Sequence, residues 1–158
     1  MVRIEKSIEI KASPEKVWEM LALDRQLEWM DEAEWESVEY ISEVHTPEDK
    51  YKVGASAHIT EKHGEYDFEI TESLENEKIT ARSKAMRGEP YSTHGSVTLT
   101  STYILEPVEE GTKLTCVGDI DRIPWGILGK ILYKLNLQRK FRKQVEKSLE
   151  KLKSILEK

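Results

Sequence analysis

Residues 124–158 read PWGILGKILYKLNLQRKFRKQVEKSLEKLKSILEK, and this stretch decides the fold that we predict for the chain. It has no proline after Pro124 and glycine only at Gly126 and Gly129, which predicts a long terminal helix. In its second half, apolar residues recur at steps of three and four and form one stripe: Phe141, Val145, Leu149, Leu152 and Leu156. A helix with one apolar stripe needs an apolar surface to cover, and the rest of the chain must supply it.

The apolar residues in the first half of this predicted helix lie on a different side of it. Leu128, Ile131, Leu132 and Leu135 lie well round the helix from the later stripe at about 100° per residue. We therefore expect either a kink or break near Asn136, or a first half that is buried on two sides.

The preceding sequence predicts seven strands, because apolar and polar residues alternate in it. Val2, Ile4, Ile8 and Ile10 share one parity, which indicates a half-buried first strand. Six further strands are expected near residues 35–41, 55–60, 66–71, 79–84, 97–105 and 114–120, and the short turns between most of them favour antiparallel pairing. Two short helices are expected after the first strand, the first capped by Ser13 and the second by Asp24.

Size and composition predict one domain over residues 1–158. Cys116 is the one cysteine, so an internal disulfide is excluded and a reducing compartment fits. The first residues contain no long apolar run, so we expect a soluble cytoplasmic protein without a signal peptide.

Charge is distributed unevenly along the chain. Residues 122–158 hold 11 Lys and Arg against 3 Glu, a net of +8, whereas residues 1–121 carry 13 − 27 = −14. One interpretation is a solvated helix face that offsets the acidic sheet; the other is a basic surface for an anionic membrane or an acidic protein partner. Nucleic acid is not expected as a partner, because the larger acidic part would repel phosphates.

Several local strings follow one another in the chain: IKASPEKVW at 10–18, Trp29-Met30, Val53-Gly54, Gly111-Thr112 and SLEKLK at 148–153. In this order they resemble the START-like (SRPBCC) superfamily, which includes birch-pollen allergen relatives and polyketide cyclase/dehydrase-type proteins. The resemblance implies an α+β helix-grip fold: a seven-stranded curled antiparallel sheet around the long C-terminal helix, with two short helices between strands 1 and 2. It also implies a cavity between sheet and helix for a lipid, an isoprenoid or a polycyclic aromatic.

Small residues at inward positions agree with such a cavity, since they leave room between a curled sheet and one helix. They are Ala55, Ala57, Ala81, Ser83 and Ala85. The residues that we expect to contact a ligand are Trp29, Met30, Ala57, Ile59, Phe68, Ile70, Ala81, Val97, Leu99, Tyr103, Trp125, Leu128, Leu132 and Leu135.

Three residues are candidates for a catalytic role. Glu72 would face the cavity if its strand stays regular, His94 would do so if a bulge turns it inward, and Tyr103 is inward by alternation. His58 is expected on the outer face. The histidines lack metal-ligand spacing, and the phosphate-loop, dinucleotide and hydrolase motifs are absent from the sequence, so we expect no metal and no cofactor.

The first functional hypothesis is therefore a soluble protein that binds a small hydrophobic or amphipathic molecule. A cyclase or dehydratase that uses the same cavity is the first alternative, and whether the protein is an enzyme at all stays open. An interaction protein that works through the basic C-terminal helix is the second alternative.

Overall fold

The fold is an antiparallel sheet with a long helix packed on one face. The computed structural model describes residues 2–30, 35–62, 64–83, 87–88, 98–121 and 127–158, without the side chains of Val2, residues 87–88, residues 127–134 and Leu137. The strands are β1 Val2–Ile10, β2 Trp35–Tyr40, β3 Ser56–Glu61, β4 Gly64–Leu74, β5 Lys78–Ser83, β6 Arg87–Gly88, β7 Thr98–Val108 and β8 Gly111–Asp121. The helices are α1 Pro14–Glu19, α2 Leu23–Gln26 and α3 Ile127–Leu156, and a 3-10 helix spans Pro47–Tyr51.

The strand order is β1-β8-β7-β5-β4-β3-β2, with antiparallel pairing throughout. The seven predicted strands and the predicted α+β helix-grip architecture are confirmed. The short strand β6, Arg87–Gly88, is additional to the seven predicted strands. It pairs with Gly64 and Glu65 at the start of β4.

Helices α1 and α2 cover the end of the sheet where β1 finishes. The Ser13 hydroxyl accepts a hydrogen bond from the Lys16 N–H at 3.4 Å, and Pro14 begins α1, as the sequence predicts. The β7–β8 hairpin packs closely here, because a Cβ on Gly111 would lie 2.0 Å from the Ile10 carbonyl oxygen. Only glycine fits at this position.

Helix α3 packs on the concave face of the sheet through the predicted stripe. Leu149 and Leu152 are buried, Phe141, Val145 and Leu156 pack against the core, and the Phe141 ring lies over Gly118 of β8. The Glu146 carboxylate pairs with the Lys6 ammonium of β1 at 2.6 Å. These contacts fix the second half of α3 above β1 and β8.

The expectation of a break near Asn136 is wrong, because α3 is continuous from Ile127 to Leu156. The alternative, a first half buried on two sides, rests on the side chains of residues 127–134, which lie outside the described ones; beyond them, Leu135 and Asn136 are both exposed. The lysine, arginine and glutamine residues that flank Asn136 are good helix formers and favour a helix that continues through it. Among the described residues, no helix is both long and apolar enough to span a lipid bilayer.

Candidate functional site

The centre of the concave face is lined by small side chains. Ala81 of β5 lies between Ser101 of β7 and Ile70 of β4, and Ser101 in turn lies opposite Gly118 of β8. Opposite residues in an antiparallel pair share a face, so this row points at α3. The row leaves a shallow wall in the middle of the sheet.

The end of the interior beneath α1 and α2 is filled. The Trp29 indole is buried, donates its Nε1–H to the Met20 carbonyl at 2.9 Å, and meets the Tyr103 ring edge-on at 5.8 Å between centroids. Leu105 and Leu114 are buried beside it. Large buried side chains therefore pack against one another at this end.

At the opposite end, solvent reaches inward-facing residues. On β7, Tyr103 and Leu105 are buried, but Leu99 and Ser101, which point to the same side, are partly exposed. The Leu99 N–H donates to the Ser83 hydroxyl at 2.8 Å, so this polar group of the wall is satisfied. Among the described residues, the inward-facing side chains of β7 are therefore less covered near its start than near its end.

A cluster of three aromatic side chains, Trp35, Tyr66 and Phe68, lies on the far side of the sheet from β1. The Phe68 ring contacts the Tyr66 ring at 5.3 Å and the Trp35 ring at 6.3 Å between centroids. The Tyr66 hydroxyl donates to the Glu61 carboxylate at 3.3 Å. Glu61 has the inward parity of Ala57 and places an acceptor at the rim of an otherwise apolar wall.

Most of the predicted ligand-contacting residues lie in the core. Trp29, Ala57, Ile59, Phe68, Ile70, Ala81 and Tyr103 are buried, and Met30 and Leu99 are partly buried against the core. Val97 and Trp125 lie outside the described residues, as do the side chains of Leu128 and Leu132. The structure contradicts the placement of Leu135 in the cavity: its side chain is 59% exposed, because the covered face of α3 is that of Phe141.

Glu72 is the candidate that the structure turns away from the interior. The β4–β5 register shifts between Ile70 and Glu72, so Glu72 lies opposite Thr80 on the outer face. There it is exposed and pairs with Lys78 at 3.3 Å. The condition for its inward placement, a regular strand, does not hold.

Of the other two catalytic candidates, the described residues include Tyr103 but not His94. Burial raises the pKa of Tyr103 well above its ordinary value, and the neighbouring Cys116 adds to this shift. Burial likewise raises the pKa of Cys116 to about 12. Both groups are therefore neutral at physiological pH and unsuited to proton abstraction.

Charged groups are confined to the margins of the described concave face. The inward residues that the structure describes on β4, β5, β7 and β8 carry no formal charge. Inward Lys6 is paired with Glu146 at the β1 edge. His58 lies on the outer face as predicted, where its Nδ1 is 2.6 Å from an Asp67 carboxylate oxygen. Within the described chain, no three His, Cys, Asp or Glu residues are grouped to hold a metal ion.

Two features of the site were missed by sequence reasoning. Glu61 could have been found by extending the alternation of Ala57 and Ile59 by one step. Gly118 also carried a signal, since an interior strand glycine often marks a close approach, and a Cβ here would lie 2.5 Å from the Phe141 ring.

Asp24 is not the cap that the sequence predicts. Ala22 precedes α2, and the Asp24 carboxylate instead accepts hydrogen bonds from the Tyr40 hydroxyl at 2.9 Å and the Lys50 ammonium at 2.7 Å. Burial alone would raise the pKa of Asp24, but these two bonds outweigh it and lower the pKa. The three residues come from separate segments, so no local pattern could identify the cluster.

Solved structures share this fold over nearly the whole chain. Protein MLL2253 from Mesorhizobium loti superimposes with a TM-score of 0.70 at 17% identity, covering 98% of this chain and 96% of that one. The Aha1 dimer from Colwellia psychrerythraea gives 0.61 at 22% identity, with 99% and 97% covered. Protein TTHA0849 from Thermus thermophilus gives 0.65 at 19% identity, with 97% and 94% covered. At these identities the likeness shows the fold alone.

Sequence comparison adds the family. No curated protein matches the chain. The family described as polyketide cyclase / dehydrase and lipid transport matches residues 1–157, which is almost all of the sequence. With the helix-grip architecture described above, this match establishes that the chain belongs to the polyketide cyclase/dehydrase and lipid transport family of the START-like (SRPBCC) superfamily.

Proposed function

We propose that this protein binds a small, uncharged, hydrophobic or amphipathic molecule between the sheet and α3. The observation that carries the proposal is the partial exposure of inward-facing Leu99 and Ser101 beside the small residues of the central row. A guest that enters at this end would cover the exposed apolar surface and contact Phe68 and Ala81. Family membership supports the same class of function.

The lining of the interior favours an uncharged ligand. A charged group placed against the described walls of β5, β7 and β8 would lose its hydration without gaining a counter-charge, which is strongly unfavourable. A polar group at one end of the ligand could reach the Glu61–Tyr66 pair at the rim. A lipid with a neutral head group, an isoprenoid alcohol or a hydroxylated polycycle fits this pattern.

The hydrophobic effect would supply most of the binding free energy. Enclosing about 300 Å² of apolar ligand surface is worth roughly 7 kcal/mol at about 25 cal/mol/Å², before the costs of association are subtracted. Because those costs are about 4 kcal/mol or more, tight binding requires a larger enclosed area or an added polar contact, such as one with the Glu61–Tyr66 pair. Native mass spectrometry of protein purified from its own source is the direct way to identify the ligand.

A matched pair of variants on β7 tests the site. Leu99→Trp places a large side chain into the less covered end, whereas Thr100→Trp places the same side chain on the outer face one residue away. We expect Leu99→Trp to weaken binding of an uncharged apolar dye such as Nile red by at least about tenfold. Thr100→Trp should leave the dissociation constant unchanged. Equal affinities in the two variants would contradict the location of the site.

A cyclase or dehydratase activity in the same interior is a second candidate, which family membership favours. Glu72 is on the outer face and Tyr103 is neutral, so Glu61 is the described carboxylate best positioned for proton transfer. Incubation with a linear polyketide should then give a cyclised or dehydrated product with the parent protein and none with Glu61→Gln. Ligand that is bound but recovered unchanged would favour binding alone.

A further inference from the structure

Helix α3 carries a groove on the flank beside the apolar stripe that packs on the sheet. The groove has a volume of about 400 Å³ and is lined by Leu135, Gln138, Arg139, Arg142, Lys143 and Glu146. These residues recur at steps of three and four, so they form one continuous strip along the helix. At about 100° per residue, the strip lies roughly 110° round the helix from the stripe of Phe141 and Leu152 that packs on the core. The strip is thus distinct from the apolar stripe, and it meets the sheet at the Glu146–Lys6 pair.

The groove is positively charged. Arg139, Arg142 and Lys143 are all exposed, and Glu146, the one acidic residue of the described lining, is paired with Lys6 at 2.6 Å. The Lys6 ammonium, and to a smaller extent Arg142 and Lys143, lower the pKa of Glu146. The groove therefore attracts anions, in contrast to the net charge of −14 over residues 1–121.

A large apolar side chain stands among these cations. Leu135 is 59% exposed at the end of the strip nearest the start of α3. Exposed leucine among arginine and lysine is the pattern of an interfacial helix, because the cations meet lipid phosphates while the apolar group enters the acyl boundary. A folded acidic protein would provide counter-charges but no equivalent apolar layer along the groove.

We propose that this groove docks the protein onto an anionic lipid surface, with Leu135 inserted and Arg139, Arg142 and Lys143 against the head groups. The acidic body favours the same orientation, because it is repelled by the surface that attracts the helix. Docking is a property of this flank of α3 and does not depend on the ligand proposed for the interior.

Vesicle sedimentation of the full chain tests the proposal. The probes are vesicles of phosphatidylcholine alone and vesicles that contain about 30 mol% phosphatidylserine, each at about 50 mM and about 300 mM salt. We expect the partition coefficient to be at least about tenfold higher on the anionic vesicles at low salt, and to fall as salt rises. Similar partition onto both vesicles would overturn the proposal.

Two variants separate the contributions of charge and apolar insertion. The triple variant Arg139→Glu, Arg142→Glu and Lys143→Glu should lower partition onto the anionic vesicles at least about tenfold. The variant Leu135→Ser should lower it a few-fold, by about the same factor at both salt concentrations, because insertion of an apolar group is not screened. If the Leu135→Ser variant binds vesicles like the parent protein, Leu135 does not insert into the lipid surface.

The matched control changes the net charge equally at distant surface sites. Lys11→Glu, Lys16→Glu and Arg82→Glu are exposed positions on the β1–α1 connection, on α1 and on the outer face of β5. This triple variant should keep most of the binding to anionic vesicles. If it loses as much binding as the groove variant does, net charge alone is responsible. Analytical ultracentrifugation tests whether the groove binds a second copy of the chain instead. If the parent protein self-associates but does not bind vesicles, and the groove variant no longer self-associates, the groove is an interface between two copies.

Discussion

The substitution Ala81→Leu distinguishes an interior with room for a guest from one that is already filled. Ala81 is central in the sheet, 7% exposed, and lies opposite the partly exposed Ser101. A leucine side chain there would extend over the small-residue row towards α3. Ala57 is the matched control, because it is an alanine on the same concave face with 0% exposure.

The two cases predict opposite changes in the free energy of unfolding. If space exists beside Ala81, leucine buries three more carbon atoms, worth about 2.4 kcal/mol at about 0.8 kcal/mol each. The lost rotamer freedom of leucine subtracts about 0.5–1 kcal/mol, which leaves a net stabilisation of about 1.5 kcal/mol. Where the wall is closed, as expected at Ala57, overpacking costs about 1–3 kcal/mol.

Thermal unfolding and dye binding measure the two effects together. At about 2–4 °C per kcal/mol for a chain of this size, the Tm of Ala81→Leu should exceed that of Ala57→Leu by at least about 5 °C. Nile red affinity should fall at least about tenfold in Ala81→Leu, because the added side chain occupies the site. A Tm for Ala81→Leu as low as that of Ala57→Leu, with unchanged dye affinity, would refute an open space beside Ala81.

Three further predictions concern the packing and ionisation of single residues. Gly118→Ala should lower stability by about 1–3 kcal/mol in urea unfolding, since its Cβ would meet the Phe141 ring at 2.5 Å, and a second change, Phe141→Leu, should recover part of the loss. A hydrogen bond with Asp67, opposed in part by desolvation, raises the pKa of His58, so its stabilising contribution is fully present below the unfolded-state pKa and is lost as pH rises through the raised folded-state value. His58→Gln should therefore cost more at pH near 5 than near 8, by no more than about 0.5 kcal/mol at this solvent-screened site, and an equal cost at both would contradict the assignment. Cys116 is buried with its pKa raised to about 12, so it should react with a thiol reagent only at the rate of unfolding, and rapid labelling of the native protein would show that solvent reaches it.

Local patterns were enough for the individual elements, and the resemblance to a known family supplied their arrangement. The alternation of Ile8 and Ile10, the cap at Ser13 and the spacing of Phe141, Leu149 and Leu152 each report the immediate chemistry of a few residues. Strand periodicity, helix capping and an apolar stripe are set within one or two turns of chain, so they can be read without knowing the partners. Inward and outward faces were therefore assigned correctly wherever a strand stayed regular, as for His58 and Tyr103.

Pairing between distant segments decided the rest. One extra residue between Ile70 and Glu72 turned a predicted cavity carboxylate to the surface, and Leu135 proved exposed because it lies to one side of the stripe of Phe141 through which α3 packs on the sheet. The contacts of Asp24 with Tyr40 and Lys50 likewise join three separate segments. The amino-acid sequence by itself determined which elements form and which way a regular strand faces. Which part of the interior is less covered, and which polar groups reach it, depended on register and docking, because those are set by the fit between surfaces far apart in the chain.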